Sequence, residues 1–101
     1  MQTRHTVIFT SAADMAPLDD NSVDLIVTSP PYPMIEMWDR IFAAQDPQIQ
    51  TDLDTGDGEG AYHRMHTALD TVWRECARVL RPGGFMCINI GGATRTIGTN
   101  F

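Results

Sequence analysis

Residues 23–32 read VDLIVTSPPY, and they predict a strand, the residue at which it ends and the position of the candidate site. The apolar run from Val23 to Thr28 is typical of a parallel strand that is covered on both faces. It ends at Pro30 and Pro31, which lack backbone N–H donors and have a fixed φ, so the strand stops and the loop is rigid. Such a turn is either a simple strand terminator or a stiff loop that offers carbonyl oxygens to a ligand.

The residues around this stretch predict further strands and a long helix. Residues 85–90, FMCINI, are predicted to form a second buried strand. Ala61 to Leu80 carries apolar residues at spacings of three and four, which indicates a helix. The segment 81–84, RPGG, is the predicted stop of that helix. Strands 23–28 and 85–90 are therefore expected to be parallel neighbours in a βαβ unit, with a short strand at 6–10 in the same sheet. The fold class is α/β.

The remaining segments are less regular. Met34 to Ala44 is roughly helical in period, whereas residues 45–60 are polar and glycine-containing and predict a solvated or mobile loop. Cys76 and Cys87 do not form a CxxC pair, and both are predicted to be buried thiols. His63 and His66 lie three apart on the long helix, but no other candidate ligands cluster near them, so no metal site is predicted.

Size and charge limit the functions that this chain can have. Its 101 residues suffice for one domain, and no window is long enough to span a membrane, so a cytoplasmic protein is expected. The formal net charge is −6, and all seven basic residues are arginine. An acidic chain binds phosphate backbones weakly, so most of the affinity for any nucleic acid has to come from elsewhere.

The segment 22–32, SVDLIVTSPPY, resembles the catalytic motif of the amino-group DNA methyltransferases, which methylate exocyclic amines of cytosine or adenine with S-adenosylmethionine. A serine before the two prolines is similar to the N4-cytosine branch, whereas aspartate is usual in N6-adenine enzymes. The segment 78–84, RVLRPGG, resembles a helix-to-strand turn found across Rossmann-like methyltransferases. The resemblance implies an S-adenosylmethionine-dependent Rossmann-like fold over most of the chain, and DNA as the partner.

The resemblance also assigns catalytic roles. Ser29 Oγ and the main-chain carbonyl of Pro30 would accept hydrogen bonds from the target amine, held in place by the rigid Pro31. The target base would leave the duplex, and Tyr32 would stack on the flipped ring. Neither a covalent intermediate nor a metal ion is required.

Cofactor binding is assigned to two residues. Asp14 follows the predicted first strand, where related enzymes contact the adenosine part of S-adenosylmethionine, although it could equally be a helix N-cap. Thr28, at the end of the strand, is the second candidate. A second site loop is expected at residues 91–95 because ligands bind beyond the carboxyl ends of parallel strands. In that loop, Arg95 would contact either a phosphate or solvent.

The pattern of the family is incomplete in this chain. It lacks an FxGxG-like cofactor loop and a recognisable target-recognition region, so residues 1–101 are interpreted as the N-terminal catalytic part of a longer enzyme. A missing C-terminal region or a partner chain would supply the rest, and the isolated chain is expected to be inactive. Alternative interpretations are a methyltransferase acting on adenine N6 or on an RNA or protein amide, and a non-catalytic α/β remnant that binds a partner through an exposed sheet edge.

Overall fold

The computed structural model describes residues 2–92 and residue 97, and within them two strands pair in parallel. The elements in chain order are β1 (Val23–Thr28), a 3-10 turn (Glu36–Trp38), α1 (Asp39–Gln45), α2 (Gln48–Asp54), α3 (Gly58–Val79) and β2 (Leu80–Ile88). The predicted parallel pairing of the two strands is confirmed, with Leu25 opposite Phe85 and Thr28 opposite Ile88, but β2 ends at Ile88, two residues before the predicted end.

The predicted first strand at residues 6–10 is wrong. These residues have no regular secondary structure, and the side chains of Val7, Ile8 and Phe9 are 73%, 45% and 95% exposed. A strand is stable only when a neighbouring strand takes up its backbone hydrogen bonds, and in the described part of the chain β1 and β2 pair only with each other. The β-forming composition of this segment is not sufficient by itself.

The start of β2 also differs from the prediction. α3 ends at Val79 and Leu80 is already extended, so the RPGG segment lies inside β2 instead of terminating the helix. The register shifts here, because Val23 pairs with Leu80 and Leu25 pairs with Phe85. Gly83 has a φ of 81°, and a Cβ on Gly84 would lie 3.0 Å from the Asp24 carbonyl oxygen. The two glycines thus allow a bulge to pack closely against β1.

Residues 45–60 are not the loop that their polarity predicts. They form α2 and the first turn of α3, and Asp57 caps α3 by accepting a hydrogen bond from the Gly60 N–H at 2.9 Å. Asp52 is 6% exposed and accepts hydrogen bonds from Arg64 Nε at 2.9 Å and Gln48 Nε2 at 3.1 Å. One of the acidic residues that suggested a solvated loop therefore joins α2 to α3.

The hydrophobic core lies among the helices and leaves one face of the sheet uncovered. Its buried residues are Met34, Phe42, Ile49, Met65, Leu69 and Ile97. In the sheet, Leu25, Val27 and Phe85 are 55%, 73% and 72% exposed, so the expectation of strands covered on both faces is wrong. Burial raises the pKa of the Cys76 thiol, whereas Cys87, contrary to prediction, is exposed. None of the helices in residues 2–92 has the length and apolar character needed to cross a membrane.

Candidate active site at the carboxyl ends of the strands

The carboxyl ends of β1 and β2 are joined by a backbone hydrogen bond that extends beyond the last strand pair. The Asn89 N–H donates to the Thr28 carbonyl oxygen at 2.9 Å, one residue past the end of β2. The loop that begins at Ser29 and the loop that contains Gly91 therefore start from one fixed point. This arrangement follows from the parallel pairing, which places both carboxyl ends at the same edge of the sheet.

The proline loop, residues 29–32, is buried or half-buried at its prolines and exposed to solvent at Ser29. Ser29 is exposed, whereas Pro30 is buried and Pro31 is half-buried. After the loop, Met34 is 3% exposed and its N–H donates to the sulfur of Met65 in α3 at 3.4 Å. The loop is thus pinned to the helical core immediately after the proline-tyrosine sequence.

Met34 has a φ of 66°, which is the left-handed region that side chains other than glycine rarely adopt. This conformation costs on the order of 1–2 kcal/mol and persists only where the surrounding packing fixes it. Burial in the core and the contact with Met65 provide that packing. The sequence analysis missed Met34 as a loop anchor, because nothing in an apolar, roughly helical segment signals a left-handed residue.

Tyr32 is half-buried, and groups from three parts of the chain surround it. Its hydroxyl oxygen lies 3.3 Å from Ser29 Oγ, and its ring centroid lies 6.4 Å from that of Trp38, with the planes tilted by 52°. A Cβ built on Gly91 would lie 3.0 Å from Cδ2 and Cε2 of the tyrosine ring. Gly91 belongs to the second loop expected beyond the carboxyl ends of the strands, and this contact places it beside the proline loop.

Trp38 belongs to this site as well as to the core. It packs against the core cluster and also faces the Tyr32 ring. Its position depends on the 3-10 turn at Glu36–Trp38, which replaces the start of the helix predicted from Met34. The Tyr32 carbonyl accepts a hydrogen bond from the Ile35 N–H at 3.3 Å, which holds this turn beside the loop. Arg95, the predicted phosphate contact, lies outside the described residues.

Asp14 makes local hydrogen bonds. Its Oδ1 accepts a hydrogen bond from the Ala16 N–H at 3.0 Å, so it stabilises a turn and does not cap a helix. The neighbouring Met15 N–H donates to Glu75 Oε2 at 2.7 Å, near the end of α3 where β2 begins. Thr28 is the last residue of β1, and its carbonyl oxygen accepts the Asn89 N–H just beyond the end of β2. The contacts beside Asp14 are thus with the end of α3, and those of Thr28 are with the chain that follows β2, while their role in cofactor binding stays a prediction.

The segment around Asp14 is held to α3 by Arg78. Arg78 donates to Glu75 at 2.9 Å, to Asp20 at 2.7 Å and to the carbonyl oxygens of Leu18 and Met15, both at 2.9 Å. Hydrogen bonds from Arg78 and from the Met15 N–H lower the pKa of Glu75 to about 2. These bonds fix residues 15–22 at the start of the strands, so they support the sheet and do not reach Ser29.

Comparison with known proteins identifies the class of this chain. A family model described as DNA methylase, covering N6 and N4 enzymes, matches residues 23–99, which include the strands and the proline-tyrosine loop. The chain belongs to this DNA methylase family. No solved structure matches the chain significantly.

Two curated relatives are similar over nearly all of this chain. The Type II methyltransferase M.MthZI of Methanothermobacter thermautotrophicus is 51% identical over 102 residues, which cover 100% of this chain. The Type II methyltransferase M.MjaI of Methanocaldococcus jannaschii is 45% identical over 106 residues, which cover 94% of it. The matched regions make up only 29% and 35% of these relatives, so this chain spans about a third of their length.

Proposed function

We propose that this chain is the catalytic part of a DNA methyltransferase that transfers a methyl group from S-adenosylmethionine to the N4 amine of cytosine. The observation that carries the proposal is an exposed Ser29 hydroxyl at the end of β1, beside the Tyr32 ring, in a chain of the DNA methylase family. Serine at this position favours N4-cytosine over N6-adenine through the resemblance described above. Both relatives are named Type II methyltransferases, which supports a role in restriction-modification.

The chemical role of Ser29 follows from the electronic structure of the target. The lone pair of the cytosine N4 amine is conjugated with the ring, so the amine is a weak nucleophile. A serine oxygen that accepts a hydrogen bond from an amine N–H favours a tetrahedral nitrogen and localises the lone pair. The Pro30 carbonyl is the proposed second acceptor, and the rigid prolines hold both acceptors at fixed positions, which lowers the cost of orientation.

Tyr32 is the proposed platform for the target base. A base inside a duplex cannot reach a loop at a sheet edge, so the nucleotide must rotate out of the stack. Stacking on an aromatic ring contributes roughly 1–3 kcal/mol per base and partly offsets that cost. The hydroxyl contact between Tyr32 and Ser29 supports this role, since it places the stacking ring next to the proposed acceptor.

S-adenosylmethionine is proposed as the methyl donor from the family resemblance alone. When bound, it would supply an electrophilic methyl group. Asp14 and Thr28 stay the proposed cofactor contacts, and we assign no catalytic step to residues that hold it. In this proposal the cofactor site needs regions that the longer relatives have, and the chain acts on cytoplasmic DNA as part of such a protein.

The test uses this chain and a longer protein that restores the additional regions of the relatives. We expect radiolabelled methyl transfer to a DNA duplex from the longer protein only, with N4-methylcytosine as the product in a nucleoside digest. Ser29→Ala should lower kcat more than it weakens DNA binding, since its hydrogen bond strengthens as the amine becomes positive. The matched control is Ser22→Ala at the other end of β1, where Ser22 Oγ only donates to the Asp19 carbonyl at 2.7 Å.

Three results would change the proposal. N6-methyladenine in the digest moves the substrate to adenine. Full activity of Ser29→Ala removes the proposed mechanism. Absence of transfer by the longer protein favours the non-catalytic interpretation, in which the chain binds a partner through the unpaired edges of its sheet.

A further inference from the structure

Two adjacent glycines after β2 have very different surroundings. A Cβ on Gly91 would lie 3.0 Å from both Cδ2 and Cε2 of the Tyr32 ring, and 3.8 Å from Ile35 Cδ1. A Cβ on Gly92 would meet no atom within 4 Å. Because the φ of Gly91 is not in the left-handed region, the backbone there accepts any residue, and only the tyrosine ring excludes a side chain.

The Tyr32 ring is also restrained on its other sides. Its hydroxyl is 3.3 Å from Ser29 Oγ, and the Trp38 ring faces it at a centroid distance of 6.4 Å. Gly91 itself is held in place because Asn89, two residues earlier, donates its N–H to Thr28. A displacement of the ring at Gly91 would therefore alter its contacts with Ser29 or Trp38.

We propose that Gly91 is a positioning residue for Tyr32. The missing side chain at position 91 lets the ring lie directly on the backbone of the β2 loop, which keeps the tyrosine hydroxyl beside Ser29. A Cβ at 3.0 Å is too close for an ordinary contact, so Gly91→Ala forces the ring to move by a few tenths of an ångström. The consequence for base stacking rests on the proposed function, whereas the effect on the ring does not.

Fluorine NMR of the chain labelled with 3-fluorotyrosine measures the ring directly. The chain has two tyrosines, Tyr32 and Tyr62, so Tyr62→Phe assigns the two resonances. We expect Gly91→Ala to shift the Tyr32 resonance and leave the Tyr62 resonance in place. Gly92→Ala is the matched control and should shift neither. Equal Tyr32 resonances in wild type and Gly91→Ala would overturn the proposal.

A double-mutant cycle covers the case in which Gly91→Ala fails to fold. In a Tyr32→Leu background the clashing ring atoms are absent, so adding Gly91→Ala should leave the urea unfolding midpoint unchanged, while the same change in wild type lowers it. An equal loss in both backgrounds contradicts a role that acts through Tyr32.

The longer protein provides the functional readout. Gly91→Ala should raise KM for the DNA duplex by about fivefold or more, in line with part of the stacking contribution of one base, with a smaller change in kcat. Gly92→Ala should raise KM less than Gly91→Ala does, because a Cβ on Gly92 meets no atom within 4 Å and so does not displace the Tyr32 ring. If the fluorine resonance shifts but the wild-type longer protein transfers no methyl group, the proposed function fails and the positioning of Tyr32 by Gly91 stands. If transfer occurs and Gly91→Ala leaves KM unchanged, the functional part of the inference fails alone.

Discussion

The hydroxyl oxygens of Ser29 and Tyr32 lie 3.3 Å apart, so the proposed amine acceptor and the proposed stacking ring already contact each other in the free chain. Either hydroxyl can be the donor. A serine hydroxyl has two acceptor lone pairs, so the contact with the tyrosine leaves one of them for the proposed target amine. In the proposed reaction the tyrosine therefore orients the serine without blocking the acceptor.

Two substitutions at Tyr32 separate the contribution of its hydroxyl to kcat/KM from that of its aromatic ring. In the longer protein, Tyr32→Phe should lower kcat/KM by less than about tenfold, because one hydrogen bond contributes only about 0.5–1.5 kcal/mol. Tyr32→Ala also removes the stack and should lose a further ~1–3 kcal/mol. Steady-state methyl transfer to a duplex measures both variants. A loss in Tyr32→Phe as large as that in Tyr32→Ala would assign the role to the hydroxyl instead of the ring.

The bonds between Glu75 and Arg78 predict an acid-sensitive contribution to stability. The pKa of Glu75 in the folded chain is about 2, below its ordinary value of 4.5, so its carboxylate stabilises the folded state fully above about pH 4.5. This contribution is lost as the pH falls toward 2. We expect Glu75→Gln to lower the urea unfolding midpoint near pH 6 and to have progressively less effect below pH 4.5.

The control for this experiment is Glu36→Gln, since Glu36 is an exposed residue of the 3-10 turn. It should change the unfolding midpoint little at any pH. A Glu75→Gln effect that is the same at pH 6 and at pH 2.5 would show that the carboxylate charge is not what stabilises residues 15–22.

The buried Asp52 predicts a stability difference between two nearby aspartates of α2. Asp52→Ala removes the hydrogen bonds from Arg64 and Gln48 and should cost about 1.5–3 kcal/mol of unfolding free energy, as for hydrogen bonds to charged groups. Asp54→Ala removes one exposed bond from Gln50 and should cost less than about 1 kcal/mol. Urea unfolding followed by circular dichroism measures both. Equal losses would mean that the burial of Asp52 is unimportant.

The uncovered face of the sheet predicts self-association of the isolated chain. Val27 and Phe85 are largely exposed on this face, and contiguous apolar surfaces of this kind promote association in water. Sedimentation velocity should show a mean mass that rises with concentration, and the double variant Val27→Thr/Phe85→Thr should remain nearer to monomer mass. Met86→Thr, at a half-buried position of β2, serves as the control and should not reduce association.

The parts of the fold that sequence predicts well are those whose signals are local. The bounds of β1 were predicted correctly, because an apolar run ended by two prolines leaves one possible stop. The strand at 6–10 failed, since strand formation depends on a partner that the segment itself does not encode. The loop predicted at residues 45–60 also depends on a partner outside the segment. A carboxylate such as Asp52 can be buried because Arg64 of α3 pairs with it.

The edge of the sheet at which the two loops lie was predictable from strand direction alone. Tyr32 and Gly91 each follow one of two parallel strands, so both lie at the carboxyl edge, and this does not depend on the packing of the helices. The contact of Trp38 with Tyr32 and the left-handed Met34 were not predictable, because both depend on how the chain turns after the prolines. Asp14 was assigned by analogy to a position after a strand that does not form, and the residue next to it, Met15, contacts Glu75 near the end of α3.

The number of residues in the bulge at 81–84 fixes the register of β2 against β1. Every pair from Leu25–Phe85 to Thr28–Ile88 depends on that register. Removing one residue from this segment would slide β2 by one position, which turns Met86 outward and Phe85 inward. Gly91 would then no longer lie against Tyr32. A deletion within residues 81–84 is thus expected to remove the contact between Tyr32 and Gly91 although both loops keep their sequence.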